Sequence, residues 1–299
     1  MALNRGYIAR LVLCLAMVLC FISSSLAFER SSFDEYKQYA LLANSAYQNR
    51  EKINQVVTKD GWVVSHYEII PGIEVLYYLA SNQKSREQII VVRGTANVEN
   101  ALVDAAHKLL PNSSLNIQLH EGFELAAKNI YSTVTPHLKK DYKISTTGHS
   151  LGGAVAVIIA MHLDNNKYNL DKVITFGQPK VTNISGALKY KHLALTRIVT
   201  PKDLVPLVPP FDAMDVNNLD IYWHLGTEIV LLPGLEFAEI SGLDSMLRAT
   251  NILSEKLDQN NIENHRMTLY LELINAKLKN AVKVEHKRNF DVFKLFSGS

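Results

Sequence analysis

The chain has 299 residues, of which 47% are hydrophobic and 20% are charged, and its formal net charge is +2. This composition excludes a disordered chain, and the length suits one large α/β domain or two small ones. The nearly balanced charge gives no indication of a nucleic-acid partner or a strongly acidic partner.

Residues 1–27 have the organisation of a secretory signal peptide. Arg5 and Arg10 give a positive start, Leu11–Ile22 is a short apolar run, and the stretch that ends at Ala27 has the small-x-small pattern of a cleavage site. We therefore predict cleavage after Ala27 and a secreted or periplasmic protein. A retained membrane anchor is one alternative, although the apolar run is short for a span. A lipoprotein signal that ends at Cys20 is another.

Removal of this leader changes the chemistry that the mature chain can carry. It takes away both cysteines, Cys14 and Cys20, so neither a disulfide nor thiol chemistry is expected afterwards. It also removes two of the 31 basic residues and none of the 29 acidic ones, which leaves the mature chain formally neutral.

The first part of the mature chain predicts one helix followed by three strands. Aromatic and alanine residues at helical spacing predict a helix over Ser31–Gln48. Two paired strands follow, at Trp62–Ile70 and Ile73–Ala80, with a Pro-Gly turn between them. The continuous apolar run Gln88–Val92 predicts a strand that is buried on both faces.

The segment Ala96–Leu110 admits two interpretations. Its apolar residues fall on one side of a short helix, which either packs on the core or forms a mobile amphipathic lid over a pocket. A longer helix is predicted over Phe123–Leu138, with Leu125, Ile130 and Val134 turned inward.

The rest of the chain alternates strands with helices. A β-branched run that ends at Thr147 predicts a strand, and the predicted strands after it are Val173–Phe176, Leu195–Val199 and Ile221–Leu232. The predicted helices are the small-residue stretch after Ser150, Met246–Leu257 and His265–Leu278. The tail Lys279–Ser299 either docks as a terminal strand or stays loose. Such alternation indicates a mostly parallel central sheet flanked by helices, in one domain over residues 28–299 with the tail after about residue 278 unassigned.

The sequence Gly148-His149-Ser150-Leu151-Gly152 joins a predicted strand to a predicted helix. This context is typical of a nucleophile elbow, a sharp and strained turn that exposes a serine hydroxyl at the top of a sheet. The flanking glycines are required because a Cβ on either side would collide with the crossing strand and helix. The sequence therefore predicts Ser150 as a nucleophile.

A serine nucleophile needs a base to take its proton and an acid to orient the base. On α/β-hydrolase sheets the acid and the histidine follow the serine in that order. Asp203, in a Pro-flanked loop after a predicted strand, is the favoured acid, and His265, at a junction between a polar loop and a helix, is the favoured base. The alternatives are Asp212, Asp215 and Asp220 for the acid, and His224 and His286 for the base.

A tetrahedral intermediate also needs hydrogen-bond donors for its oxyanion. The backbone N–H of Leu151, directly after the nucleophile at a helix start, is one predicted donor. The second is predicted at Gly94-Thr95, after an early strand, with the hydroxyl of Thr95 as an additional donor.

Several stretches together resemble the class 3 lipases, which are fungal-lipase-like α/β-hydrolases. They occur in the order Val91–Thr95, His120–Phe123, Gly148–Gly153, Thr175–Val181, Asp203–Pro206, Tyr222–Glu228, and His265 with Met267 and Tyr270. The resemblance implies Ser150, Asp203 and His265 as the catalytic triad, and Thr95 and Leu151 as the oxyanion hole. It also implies that Ala96–Leu110 is a lid that opens at a lipid surface and that His224 is structural. The segment Gly234–Asn264 has no counterpart in the resemblance.

The predicted function is an exported serine hydrolase that cleaves carboxylic esters of lipids, in the manner of a triacylglycerol lipase. Phospholipase A1 and soluble-ester carboxylesterase are alternatives at the same site, and a non-catalytic lipid-binding module is an alternative of another class. The scheme involves no metal and no cofactor. The predicted partner is a lipid or ester substrate at a lipid–water interface, with no nucleic acid and no obligate protein partner.

Overall fold

The structure is a computed structural model that describes residues 32–59, 61–95, 108–209, 221–242, 245 and 263–286. The predicted signal peptide, the predicted helix Met246–Leu257 and residues 96–107 of the Ala96–Leu110 segment lie outside these ranges. Within the described ranges, no helix combines the length and the apolar character that crossing a bilayer requires.

Thirteen strands are present in the described part of the chain. They are β1 (Trp62–Ile70), β2 (Val75–Asn82), β3 (Glu87–Val92), β4 (Leu109–Asn112), β5 (Ile117–His120), β6 (Lys143–His149), β7 (Leu170–Phe176), β8 (Thr182–Asn183), β9 (Leu195–Val199), β10 (Tyr222–Trp223), β11 (Thr227–Leu231), β12 (Glu236–Ser241) and β13 (Val282–Lys283).

The helices pack around these strands. They are α1 (32–45), α2 (Arg50–Val57), α3 (Glu121–Val134), α4 (Leu151–Asn165), α5 (Ile184–Lys189) and α6 (Met267–Lys277), with 3₁₀ turns at Thr135–His137 and Val205–Leu207.

Nine of the described strands form one sheet in the order β1-β2-β3-β6-β7-β9-β11-β12-β13. The central run from β3 to β11 is parallel throughout, whereas β1, β2 and β12 each pair antiparallel with a neighbour. Strands β10, β8, β5 and β4 form a smaller antiparallel sheet. The main sheet is therefore mostly parallel, as predicted.

Strand β3 shows how the core is divided by the main sheet. Ile90 and Val92 face an apolar cluster that contains residues of α3 and α4. Ile89 and Val91 face a second cluster, with residues of α1, α2 and α6. Because successive side chains of a strand point to opposite faces, an uninterrupted apolar run covers both faces, and the sheet is flanked by helices as predicted.

Helix α4 crosses the middle of the first cluster. All of its residues from Gly152 to Leu163 are buried, which is expected for a helix that is apolar on every side. Glycine and alanine in its first turns allow the helix backbone to lie against the sheet. The residue that precedes this helix,

Helix α3 differs from its prediction in its ends and in one inward residue. It begins at Glu121 because the His120 side chain caps it, with Nδ1 accepting from the Phe123 N–H at 3.3 Å. It ends at Val134, before a 3₁₀ turn that contains a proline. Leu125, predicted to face inward, is 53% exposed, because the buried stripe of the helix runs through Phe123 and Ile130 instead.

Three further expectations are corrected by the strands. Leu109 and Leu110, assigned to a helix or lid, belong to β4. The single predicted strand Ile221–Leu232 is two strands in two different sheets, broken at Gly226, whose φ is +76°. The segment without a counterpart in the resemblance contains β12, and the start of the tail docks on it as β13, in parallel.

Candidate active site

Ser150 lies in a strained turn between β6 and α4. Its φ and ψ are 58° and −133°, a conformation that costs a non-glycine residue free energy. Its N–H donates to the carbonyl of Phe176 at 2.9 Å, which holds the turn against the neighbouring strand β7. A Cβ on Gly148 would collide with the backbone of Gly152, and a Cβ on Gly152 would collide with the carbonyl of Val92. The local sequence therefore permits the turn that the motif predicts.

The predicted oxyanion donors flank this turn. Leu151 is the first residue of α4, so its N–H is among the amide groups that have no partner within the helix and lies at the positive end of the helix dipole. Gly94 approaches from β3, and a Cβ there would lie 3.1 Å from the Cβ of Ser150. Thr95 follows directly and is half-buried. The roles of Leu151 and Thr95 in binding an oxyanion stay predictions.

Asp203 is fully buried in the loop after β9. Its Oδ1 accepts from the N–H of Val205 at 2.9 Å. Its Oδ2 accepts from His265 Nδ1 at 2.8 Å and from the hydroxyl of Tyr270 at 2.5 Å. Charge-assisted hydrogen bonds of this kind are stronger than neutral ones, so the carboxylate is fixed on both oxygens.

Lys180 holds the far end of the Asp203 loop. Its side chain is buried, and its Nζ donates to the carbonyls of Leu207 and Pro209, the latter at 2.7 Å. The loop that carries the acid is therefore fixed at two points, by Asp203 itself and by this lysine.

His265 precedes α6, and its ring is fully buried. Because the Asp203 carboxylate can only accept, Nδ1 of His265 carries the hydrogen of their bond, which leaves Nε2 as the basic nitrogen of the neutral ring. The carbonyl of the preceding residue, Asn264, accepts from the Thr200 hydroxyl at 3.0 Å. The His265 carbonyl accepts from His149 Nε2 at 2.7 Å. Two side chains thus hold the backbone at the point where the ring projects.

Gly177 brings the two halves of the site together. It follows Phe176 at the end of β7 and has a φ of +56°. A Cβ here would lie 2.9 Å from Asp203 Oδ2 and 2.9 Å from His265 Cε1. The backbone that accepts the hydrogen bond of the Ser150 turn therefore runs directly beneath the Asp203–His265 pair.

Two polar atoms of this site have no hydrogen-bond partner in the described structure. They are Ser150 Oγ and His265 Nε2, and both are buried. Buried polar atoms are nearly always bonded, so each exception calls for an explanation. Apo enzymes often lack the hydrogen bond between nucleophile and base, which forms only with the substrate in place.

The rival site residues lie elsewhere or lie outside the described ranges. His224 is buried, and its Nε2 donates to the carbonyl of Pro206 at 2.6 Å. His286 follows β13, at the edge of the sheet beyond β12. Asp212, Asp215 and Asp220 lie outside the described residues. The structure therefore brings together Ser150, Asp203 and His265, whose catalytic roles stay predictions.

Sequence reasoning assigned no role to three side chains that contact the site. Tyr47 and His149 form a hydrogen bond of 2.8 Å beside the elbow. Tyr270 bonds Asp203 and was part of the resemblance, but without a role. Among the described residues, no group of three or more His, Cys, Asp or Glu side chains is arranged to hold a metal ion.

Structural comparison defines the fold first. The crystal structure of the Lip2 lipase from Yarrowia lipolytica is 26% identical, with a TM-score of 0.65 over 79% of this chain and 92% of that chain. Together with the mostly parallel sheet and the serine turn, this likeness shows the α/β-hydrolase fold.

Sequence comparison then defines the family. A profile of the family described as Lipase (class 3) matches residues 89–213, which contain Ser150 and Asp203 and end before His265. The secreted mono- and diacylglycerol lipase 1 of Fusarium solani is 30% identical over 176 residues, 56% of this chain and 53% of that protein. A lipase of Rhizopus niveus is 25% identical over 205 residues, 60% of this chain and 51% of that protein. The chain belongs to the class 3 lipase family, and it spans about half the length of these curated relatives.

Proposed function

We propose that the protein is a serine hydrolase that cleaves carboxylic esters of lipids. The observation that carries this proposal is the buried hydrogen bond of 2.8 Å between Asp203 and His265, next to a serine in a strained, glycine-flanked turn. The family membership of the chain supports the same reaction class.

The reaction would begin with attack of Ser150 Oγ on the ester carbonyl carbon. His265 Nε2 takes the hydroxyl proton as the new C–O bond forms, and Asp203 stabilises the imidazolium through Nδ1. The negative charge that develops on the carbonyl oxygen is held by the N–H of Leu151 and by Thr95.

The second half of the reaction regenerates the enzyme. The tetrahedral intermediate collapses, and His265 gives its proton to the leaving alcohol as the ester C–O bond breaks. Water then attacks the acyl-enzyme with His265 as base, and the carboxylic acid leaves as Ser150 recovers its proton. The scheme uses side chains and backbone amides of this chain alone.

Two observations favour lipid esters and an interface over small soluble esters. The relative from Fusarium solani is named a secreted mono- and diacylglycerol lipase. In this structure Ser150 is only 1% exposed, so an ester reaches its hydroxyl only after a conformational change. A lipid–water interface is a natural trigger for such a change, and we propose it as the place of action of an exported protein.

The test is hydrolysis of triacylglycerol, phospholipid and p-nitrophenyl esters by the wild type and by Ser150→Ala, below and above the concentration at which each substrate aggregates. We expect a rate that rises when triacylglycerol aggregates, and a fall of at least about 10³-fold in Ser150→Ala. Preference for phospholipid would replace the triacylglycerol assignment by phospholipase A1. Equal rates below and above aggregation would replace it by a soluble-ester carboxylesterase.

Export is tested separately by sequencing the N-terminus of the protein recovered outside the cytoplasm. A mature chain that starts at Phe28 supports the proposed cleavage after Ala27. Recovery of the full-length chain in the membrane fraction would contradict it.

A further inference from the structure

His149, the residue before the nucleophile, lies against the candidate base. Its ring is tilted by 33° to the ring of His265, with centroids 4.4 Å apart. Tyr47 meets it edge-on from the turn after α1 at 5.8 Å, and Tyr270 of α6 does so at 5.9 Å. The side chain is buried, with 5% of its surface exposed, so it contacts the site from within the protein.

The hydrogen bonds of His149 define which of its nitrogens carries a hydrogen. The His265 carbonyl, 2.7 Å from Nε2, can only accept, so Nε2 is the donor. Nδ1 of the neutral ring is then an acceptor, and the Tyr47 hydroxyl, 2.8 Å away, donates to it. Both nitrogens are satisfied only in this neutral tautomer, since a doubly protonated ring would present N–H to N–H or O–H without an acceptor.

The surroundings of the pair keep both groups uncharged. Burial, with a smaller contribution from the charge on His265, holds the pKa of His149 well below 6.5. Burial raises the pKa of Tyr47 far above its usual value, against smaller opposing effects from the Gly94 backbone and Arg93. Tyr270, the remaining titratable group that faces the ring, is bonded to Asp203.

The pair also connects both sides of the site. Gly94 packs so closely on the Tyr47 hydroxyl and on the His149 carbonyl that a Cβ there would collide with both. Gly94 directly precedes Thr95, the predicted oxyanion residue. A continuous path of contacts therefore runs from the predicted oxyanion loop through Tyr47 and His149 to the backbone of the base.

We propose that Tyr47 and His149 are positioning residues that fix the His265 ring relative to Ser150 and the oxyanion loop, as an uncharged brace. The brace holds the carbonyl of His265, and through it the direction in which Nε2 points. It also leaves His265 as the single imidazole that gains a proton during turnover, because a second charge 4.4 Å away would oppose the imidazolium. This inference rests on the proposed hydrolase function.

The test compares four variants on one ester substrate. His149→Phe keeps a ring but removes both hydrogen bonds, and we expect kcat to fall about 100-fold, the effect of a misplacement of about 1 Å, with KM nearly unchanged. His149→Gln retains an N–H that can reach the His265 carbonyl and should restore most of the rate. Its kcat/KM should follow pH with the midpoint of the wild type, because the residue that it replaces carries no charge there. Tyr47→Phe should lower kcat about tenfold, as loss of one well-placed hydrogen bond does.

Two control variants make the same chemical changes away from the brace. His162→Phe alters a buried histidine of α4 that bonds Glu124 at 3.2 Å, and Tyr78→Phe removes a buried hydroxyl that bonds the Leu42 carbonyl at 2.9 Å. Both should keep the wild-type kcat. If His149→Phe does not fold, Tyr47→Phe and His149→Gln carry the test.

The outcomes separate this inference from the proposed function. A wild type that hydrolyses no ester and takes up no fluorophosphonate on Ser150 contradicts both. A wild type that is active and a Ser150→Ala variant that is inactive, with kcat unchanged in His149→Phe and Tyr47→Phe, contradicts the brace alone. A shift of the pH midpoint in His149→Gln would mean that His149 itself ionises, which also contradicts it.

Discussion

Two buried polar clusters of this molecule differ in how completely their atoms are satisfied. In the Arg197 cluster, the guanidinium donates to Glu228 at 2.8 Å, to Ser245 at 2.7 Å and to the Leu225 carbonyl at 3.0 Å. The Ser245 hydroxyl in turn donates to Glu228 at 2.7 Å. Arg197 and Glu228 are at most 1% exposed, so the ion pair is closed to solvent.

The Asp203 cluster, formed by Asp203, His265 and Tyr270, is equally buried but not closed. Its carboxylate is bonded on both oxygens, yet His265 Nε2 and the nearby Ser150 Oγ have no partner in the described structure. A fully bonded cluster has no lone pair to offer a substrate, whereas an unbonded buried nitrogen beside an unbonded hydroxyl does. Burial and charge are thus common to a structural and a reactive cluster, and the unsatisfied atoms distinguish them.

Substitution of the acid in each cluster should separate activity from stability most strongly. Asp203→Asn preserves shape but leaves His265 Nδ1 without a carboxylate acceptor, and we expect kcat to fall about 10³- to 10⁴-fold. Ester hydrolysis under saturating substrate measures this, with thermal unfolding as the check on folding. A variant that keeps more than a tenth of the wild-type rate would remove Asp203 from the triad.

Glu228→Gln is the counterpart in the Arg197 cluster. It leaves the buried guanidinium without its counter-charge, and we expect the free energy of unfolding to fall by about 3–5 kcal/mol. Activity per folded molecule should stay at the wild-type level. Urea unfolding gives the stability, and Glu239→Gln, which breaks the exposed pair with Lys283, is the control and should cost less than about 1 kcal/mol.

The contrast is also testable at two glycines with positive φ. Gly177 has a φ of +56° and lies against Asp203 and His265, whereas Gly234 has a φ of +65° and no atom within 4 Å of an added Cβ. Gly177→Ala should lower kcat about 100-fold by moving the pair. Gly234→Ala should keep kcat and lower the free energy of unfolding by only about 1–2 kcal/mol. Equal kinetic effects of the two variants would mean that strain, not contact with the pair, is responsible.

The smallest predicted effect concerns pH and stability. Because the pKa of His149 lies well below 6.5 in the folded state, the unfolded chain binds more protons between that pKa and 6.5. Stability from this residue is therefore complete above pH 6.5 and is lost as pH falls, by up to about 1.4 kcal/mol per pH unit. Urea unfolding at a series of pH values should show a shallower loss below pH 6.5 in His149→Gln than in the wild type. Parallel curves would show that His149 does not contribute.

The parts of the site that follow from local backbone geometry were predictable from sequence. Gly148, Ser150 and Gly152 define a turn that only a strand–helix junction with glycine flanks can make. Asp203 lies beyond the end of a parallel strand, so the topology brings it to the same edge of the sheet as Ser150. The acid and the base were selected by such positional reasoning, and the structure places them in contact.

The parts that depend on contacts distant in sequence were not predictable. Tyr47 is 102 residues from His149, and no periodicity of α1 distinguishes a tyrosine that bonds the site from one that packs in the core. Lys180 looks like a surface lysine until the loop at Pro209 folds over it. The break at Gly226 was missed because alternation of apolar residues continues through a glycine whatever its φ.

The central claim is that Ser150 is a nucleophile activated by His265 and Asp203, and active-site titration with a fluorophosphonate tests it most directly. We predict that folded wild-type protein takes up one equivalent of probe, that mass spectrometry places it on Ser150, and that Asp203→Asn and His265→Ala label slowly while Ser150→Ala does not label. Labelling of folded Ser150→Ala at the wild-type rate, or none in folded wild type presented with a lipid interface, would contradict the account.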